Sequence, residues 1–234
     1  MVLDKKHMQS LEILYQDEDF IAVNKPSGIL VHRTAIAKDA TEYVLQRLRD
    51  QVNRFVFPVH RLDRKTSGVL LFAFNKETTR KLQKSIEENA AEKKYLAIVR
   101  GYFPERAVVD RSLVSEKGKE QNAVTHFFLK SKTELPIAYG KYKTSRYSLI
   151  EVFPKTGRMH QIRRHLNHLR HPIIADRVYG CNKQNRLFKD KWSMVRMLLH
   201  ASEIKLPHPT SNKYLSIEAP LPTEFERVLH LLGL

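Results

Sequence analysis

Short apolar runs separated by polar turns organise the first third of the chain. Leu11 to Tyr15 and Phe20 to Asn24 predict two short strands around the acidic turn Gln16-Asp17-Glu18-Asp19. Lys25-Pro26-Ser27-Gly28 reads as a turn, and Ile29 to His32 leaves it extended. Residues 40–50 predict a helix behind Asp39 as N-cap, with Val44, Leu45 and Leu48 on one face. Val69-Leu70-Leu71-Phe72-Ala73-Phe74 is unbroken apolar sequence, the mark of a strand buried on both faces. A second helix is expected from Lys76 to Glu92, capped by Asn75. It has few apolar positions beyond Leu82 and Ile86 and so belongs on the surface.

Tyr95 to Val99 predicts a strand closed by Arg100-Gly101. Tyr147 to Phe153 predicts another, with Ile150 and Val152 on one face and Tyr147, Leu149 and Phe153 on the other. Apolar on both sides, it should be central. Leu198 to Leu206 and Tyr214 to Ile217 suggest a hairpin. Thr223 is the expected N-cap of a last helix, completed as a capping box by Glu226, with Phe225, Val228, Leu229 and Leu232 as its apolar face. Segments 103–123 and 176–195 read as loops. With no repeat and no low-complexity linker, residues 1–10 are expected to form a tail and 11–234 one domain. Helices inserted unevenly among returning strands argue for an α+β fold with a mixed, mostly antiparallel sheet and flanking helices.

Composition narrows the function. No apolar run approaches the ~20 residues that cross a bilayer, and the N-terminus has no signal-peptide core. A single cysteine, Cys181, excludes an internal disulfide or a multi-cysteine metal site, so a reducing, cytoplasmic setting is expected. Forty-one Lys and Arg against twenty-five Asp and Glu leave a net charge of +16. That surplus is the footprint of a nucleic-acid binder, because each cation on a phosphate releases a condensed counterion. Charge kept only for solubility, or for an anionic lipid surface, is the alternative.

Two segments carry candidate chemistry. His60-Arg61-Leu62-Asp63-Arg64-Lys65-Thr66-Ser67-Gly68 is a polar loop running into the buried strand. Between Gln51 and Lys76, Asp63 is the only acid, set among Arg54, Arg61, Arg64, Lys65 and Lys76. A carboxylate there repels phosphate, so it needs either a catalytic role or a structural ion pair to explain it. The second segment, Lys155 to Leu166, follows the expected central strand. Met159, Ile162, Leu166 and Leu169 recur at helical spacing, with Arg163 and Arg164 beside that stripe. No acid occurs from Val152 to Ala175, while His165, His168 and His171 fall three apart. A phosphate-gripping helix that lends an arginine to a carboxylate and a plain solvated helix both fit. A metal site does not, for lack of an accompanying carboxylate or cysteine.

The stretch from His60 to Gly68, followed by Val-Leu-Leu-Phe-Ala, closely resembles the signature of the RluA-type pseudouridine synthases. Asn24 to His32, Lys93 to Gly101, Thr156 to Arg163 and Leu199-His200-Ala201 resemble further motifs of that family, in the family's order. Arg146-Tyr147, Arg163 to Leu166 and His168 to Ile174 are most similar to its tRNA-modifying members.

The resemblance implies a pseudouridine synthase catalytic fold with a central basic cleft. It implies isomerisation of a uridine in structured RNA: the N1–C1′ bond breaks, the base turns, and C5 is joined instead. Neither redox change nor phosphoryl transfer is involved, so no metal and no nucleotide cofactor is expected. Asp63 is implied as the catalytic carboxylate, acting at C1′ or on the C2′ proton. Arg163 is implied as its partner, and Tyr95 as the ring that stacks on the uracil. Arg61 is implied to enter the gap left by a flipped base. Lys25, Arg64, Lys65, Arg158 and Arg164 are candidate phosphate contacts. The expected substrate is tRNA, at uridine 65, handled by a monomer. Ribosomal RNA is the alternative within the class, and a non-catalytic RNA chaperone the alternative outside it.

Overall fold

The computed structural model describes residues 10–32, 42–138 and 142–234. Its strands and helices run β1 (Glu12–Gln16), β2 (Phe20–Lys25), α1 (Val44–Val52), β3 (Phe57–Pro58), β4 (Ser67–Ala73), α2 (Lys76–Glu87), β5 (Glu92–Arg100), β6 (Arg106–Asp110), β7 (Leu113–Val114), β8 (Glu120–Gln121), β9 (Val124–Leu135), β10 (Ser145–Pro154), α3 (Gln161–His168), α4 (Asn182–Trp192), β11 (Leu199–Pro207), β12 (Tyr214–Glu218) and α5 (Thr223–Leu232).

One mixed sheet carries the fold. Its order is β1-β2-β4-β11-β5-β10-β9-β6, with β12 paired to β11 and β3 to β4. Every pairing in it is antiparallel except β4 with β11, where only His200↔Ser67 and Ala201↔Gly68 meet in parallel register. The expected hairpins β1–β2 and β11–β12 both form. β10 lies between β5 and β9, as its two apolar faces require.

The alternation of side chains sorts the core into two layers. Leu70 and Phe72 of β4, Ala97 of β5, and Ile150 and Val152 of β10 pack with Val44 and Leu48 of α1 and Ile162 and Leu166 of α3. On the other side, Val69, Leu71 and Ala73 pack with Leu82 of α2, and Tyr147 and Leu149 with Phe188 of α4 and Phe225 and Val228 of α5. Among the described residues no helix is long and apolar enough to cross a membrane.

Several expectations need correction. α2 is capped by the Asn75 side chain as expected, but it stops at Glu87. Asn89 takes a left-handed conformation (φ 59°) that ends it, which frees Glu92 to start β5. α1 begins at Val44 with Tyr43 as cap, and the expected cap Asp39 lies outside the described residues, as does most of the expected tail. The capping box of α5 does not form. Pro222 occupies the N-cap, and its carbonyl accepts from Phe225 and Glu226, which moves Thr223 into the first turn. Neither expected loop is one throughout: 103–123 carries β6, β7 and β8 and 176–195 contains α4, while β9 was not expected at all.

Candidate active site

The loop that carries Asp63 is held from below. Lys25, at the end of β2, is fully buried, and its ammonium donates to the carbonyls of Pro26 (2.9 Å), Arg64 (3.2 Å) and Thr66 (2.7 Å). The Gly28 amide donates to the Arg64 carbonyl at 2.7 Å, and the Ser27 hydroxyl to that of Lys65 at 2.8 Å. Thr66 N–H closes the turn on the Asp63 carbonyl at 3.1 Å. Downstream, Gly68 (φ 110°) lies so close to β11 that a Cβ there would collide with the Ala201 backbone. Backbone constraints on both sides therefore fix where Asp63 stands.

The opposing wall is the start of α3. His160 takes the N-cap in a left-handed conformation (φ 54°), and the buried Gln161 locks the turn. Its amide oxygen accepts from Thr156 Oγ1 (2.7 Å) and Arg158 N (3.0 Å). Its amide nitrogen donates to Val124 O and Thr125 Oγ1, both at 2.9 Å. Arg163 follows, 6% exposed, and bridges two carboxylates. Nη1 donates to Asp63 Oδ2 at 3.0 Å, while Nε and Nη2 donate to Asp176 Oδ2 and Oδ1 at 2.7 and 2.9 Å. Asp176 is 1% exposed and also accepts from the Val178 and Tyr179 amides. Among the described residues no hydrogen bond reaches Asp63 Oδ1, which leaves that oxygen available.

Burial disfavours the charge on Arg163, but the two carboxylates, Asp176 foremost, raise its pKa above the ordinary value. Burial likewise opposes ionisation of Asp176, yet the Arg163 bonds and the backbone amides hold its carboxyl below the usual range. His160 Nε2 lies 3.9 Å from Asp63 Oδ2, and its Nδ1 is 3.1 Å from the Tyr179 hydroxyl. Burial, with the charges of Arg163 and Arg61, lowers the His160 pKa against the pull of Asp63, so the ring is neutral at pH 7. The Tyr95 phenol is pushed up by burial and then by the Asp63 charge, and it stays protonated. His60 is lowered to about 3 by burial and the Lys93 charge, and its Nε2 accepts from the Leu71 amide at 3.2 Å.

All of these groups but Tyr179 and Asp176, which stands behind Arg163, line one cleft of about 670 Å³, within the range that encloses a small ligand. Arg61, Asp63, Tyr95, Arg158 and Arg163 all face it, over Leu62, Ile162 and Leu199. Asp63, Tyr95 and Arg163, from a loop, β5 and α3, are thus brought together. Lys25 is not a phosphate contact: its ammonium is spent on backbone carbonyls in the interior. Among the described residues Arg64, Lys65 and Arg164 stand outside the cleft lining, with Arg64 bound to Gly28 O and Arg164 to Val114 O. His165, His168 and His171 have separate partners in Thr125, Arg111 and the Arg100 carbonyl. The sequence reading missed Asp176 and His160. Asp176 had one visible signal, as the first acid after a long acid-free run.

Residues 19–168 match the family model described as RNA pseudouridylate synthase. The chain is 47% identical over 234 residues to tRNA pseudouridine synthase C of Vibrio cholerae, covering 95% of this chain and 96% of that one. It is 45% identical over 229 residues to tRNA pseudouridine synthase C of Vibrio parahaemolyticus, covering 93% of each. Among solved structures, human RNA pseudouridylate synthase domain containing 4 superposes with a TM-score of 0.72 at 25% identity, over 95% of this chain and 93% of that one. A motif-bearing loop, a carboxylate–arginine pair in a basic cleft, and identity along nearly the whole length agree: the chain belongs to the RluA-type RNA pseudouridylate synthase family and is an isomerase of that kind.

Proposed function

We propose that this protein converts uridine 65 of tRNA to pseudouridine, with Asp63 as the catalytic carboxylate. Residues 11–234 act as one catalytic domain, a cytoplasmic monomer whose cleft is completed by its own chain. The observation that carries the reading is the Asp63–Arg163 pair in the cleft, with one carboxylate oxygen left unbonded among the described residues. An ionised Asp63 is required whether it attacks C1′ or takes the C2′ proton, and Arg163 Nη1 donates to its Oδ2 at 3.0 Å. Tyr95 stacks on the everted uracil, and Arg61 fills the gap it leaves in the RNA stack. Flipping costs a few kcal/mol, and a planar guanidinium replaces part of the lost stacking. Arg158, at the cleft wall, contacts backbone phosphate. The near full-length identity to proteins named for tRNA modification supports tRNA over ribosomal RNA.

The test is conversion of a tRNA transcript by purified protein in chelator, with Asp63→Ala beside it and the modified position mapped. Pseudouridine at position 65 from the parent protein alone is the expected result. Conversion only of large-subunit ribosomal RNA would remove the tRNA assignment. Full activity of the Asp63→Ala protein would remove the role of Asp63.

A further inference from the structure

α4 is fastened to the active site. Its Phe188 is fully buried, and Gln184 accepts a hydrogen bond from the Tyr147 phenol at 2.7 Å. Asn185 straps the chain behind Arg163: its Oδ1 accepts from Ala175 N at 2.8 Å, and its Nδ2 donates to the Asp176 carbonyl at 2.7 Å. Asp176 in turn holds Arg163. The outer side of α4 therefore has a set position relative to Asp63.

That outer side is basic. Lys183, Arg186 and Lys189 on α4, and Arg177 in the turn before it, are exposed, and among the described residues none has a carboxylate within ion-pair distance. Arg177, Asn185, Arg186 and Lys189 line an open groove of about 540 Å³ whose one acid is Asp190. Lys65, two residues beyond Asp63, does not line this groove but lies within electrostatic reach of its Arg177. Burial, then the charges of Arg177, Arg163 and Arg64, hold its ammonium below the usual lysine range. Surfaces charged only for solubility intersperse both signs. Cations crowded beside a nucleotide cleft are relieved by phosphates spaced along a backbone.

We propose that Arg177, Arg186 and Lys189 form a second phosphate-contact surface, which grips the backbone of the substrate RNA away from the target nucleotide and governs which RNAs are accepted. The inference rests on the reading of the protein as a tRNA pseudouridine synthase. Phosphate contacts position a substrate without reading its bases, so this surface selects by shape.

The test compares the parent with Arg186→Ala/Lys189→Ala and with the charge-preserving Arg186→Lys/Lys189→Arg. Each binds a full-length tRNA transcript and a minimal hairpin bearing the target uridine, at several salt concentrations. The alanine pair is expected to weaken tRNA binding roughly tenfold and to make the log–log salt slope shallower by about two. Its single-turnover rate at saturating protein should stay within about twofold of the parent's, as for lost uniform binding. Hairpin affinity should not change, and the charge-preserving pair should match the parent. Unchanged tRNA affinity and slope would overturn the surface while parent conversion of tRNA left the underlying reading intact. An equal loss on the hairpin would also overturn it, by making the groove part of the cleft. A parent that converts no tRNA would overturn both.

Discussion

Arg163 and Asp63 are 100 residues apart in the chain and 3.0 Å apart in space, and the guanidinium that joins them is itself held by Asp176 on its other two nitrogens. A guanidinium has donors enough for both carboxylates. Three of its five N–H groups are committed, two to the buried Asp176 and one to Asp63 in the cleft. Arg163 therefore cannot swing away from Asp63 without breaking a buried bidentate pair.

Removal of the Asp63 carboxylate should separate chemistry from binding. Asp63→Ala is expected to abolish isomerisation while RNA affinity stays within roughly tenfold, on the order of 1.4 kcal/mol. Filter binding beside a pseudouridine assay checks both halves, and a collapse of affinity would show that the carboxylate serves binding instead.

Asp176→Asn should lower kcat much more than it raises KM, because it frees Arg163 without touching the cleft wall. Breaking a buried pair costs about 3 kcal/mol or more, read from urea midpoints. The pH dependence has a definite sign. The Asp176 pKa is lower folded than unfolded, so its contribution is complete above the unfolded value near ~3.9 and is lost as pH falls through the folded one. The parent should lose stability on acidification below about pH 4 more steeply than the Asn variant. Parallel curves would refute this.

Lys25 gives a slope of the same sign in a higher pH window, for a different reason. Burial lowers its pKa to about 7, against the opposing charge of Asp63. Between about pH 7 and the unfolded value near ~10.4 the unfolded chain binds more protons, so stability should climb with pH across that window. Lys25→Met should make this rise shallower and, by orphaning the carbonyls of Pro26, Arg64 and Thr66, reduce kcat. A variant whose stability rises with pH as the parent's does would show that the slope has another origin.

Gly68→Ala should be among the most damaging single-methyl changes in the chain. The position combines a positive φ with backbone contact to Ala201, and the expected loss is on the order of 3 kcal/mol. Thermal unfolding checks it. A fully stable variant would mean that β4 and β11 can separate without consequence.

Much of the architecture was legible because it is local. The alternation in β10 and the apolar run of β4 are properties of a few adjacent residues, and the structure buries both strands on two faces. β9 and α4 were not legible for the converse reason. β9 buries few side chains beyond Thr125 and Phe127, and α4 buries only Gln184 and Phe188, too little for a periodic stripe. The capping box of α5 failed because Pro222, with its fixed φ, could take the cap one residue earlier.

Within the site, the sequence by itself determined the chemistry: one acid in a basic loop, the motif around it, and an arginine on a helix. Only the tertiary structure decided how those groups are used. Lys25, expected at the surface, proved to be an internal strut, and Asp176, unremarked in the chain, turned out to hold the arginine. The physical reason is that a charge's role depends on what surrounds it in space. Whether a lysine meets water or three carbonyls, and whether an arginine meets one carboxylate or two, is set by how segments distant in the chain pack together.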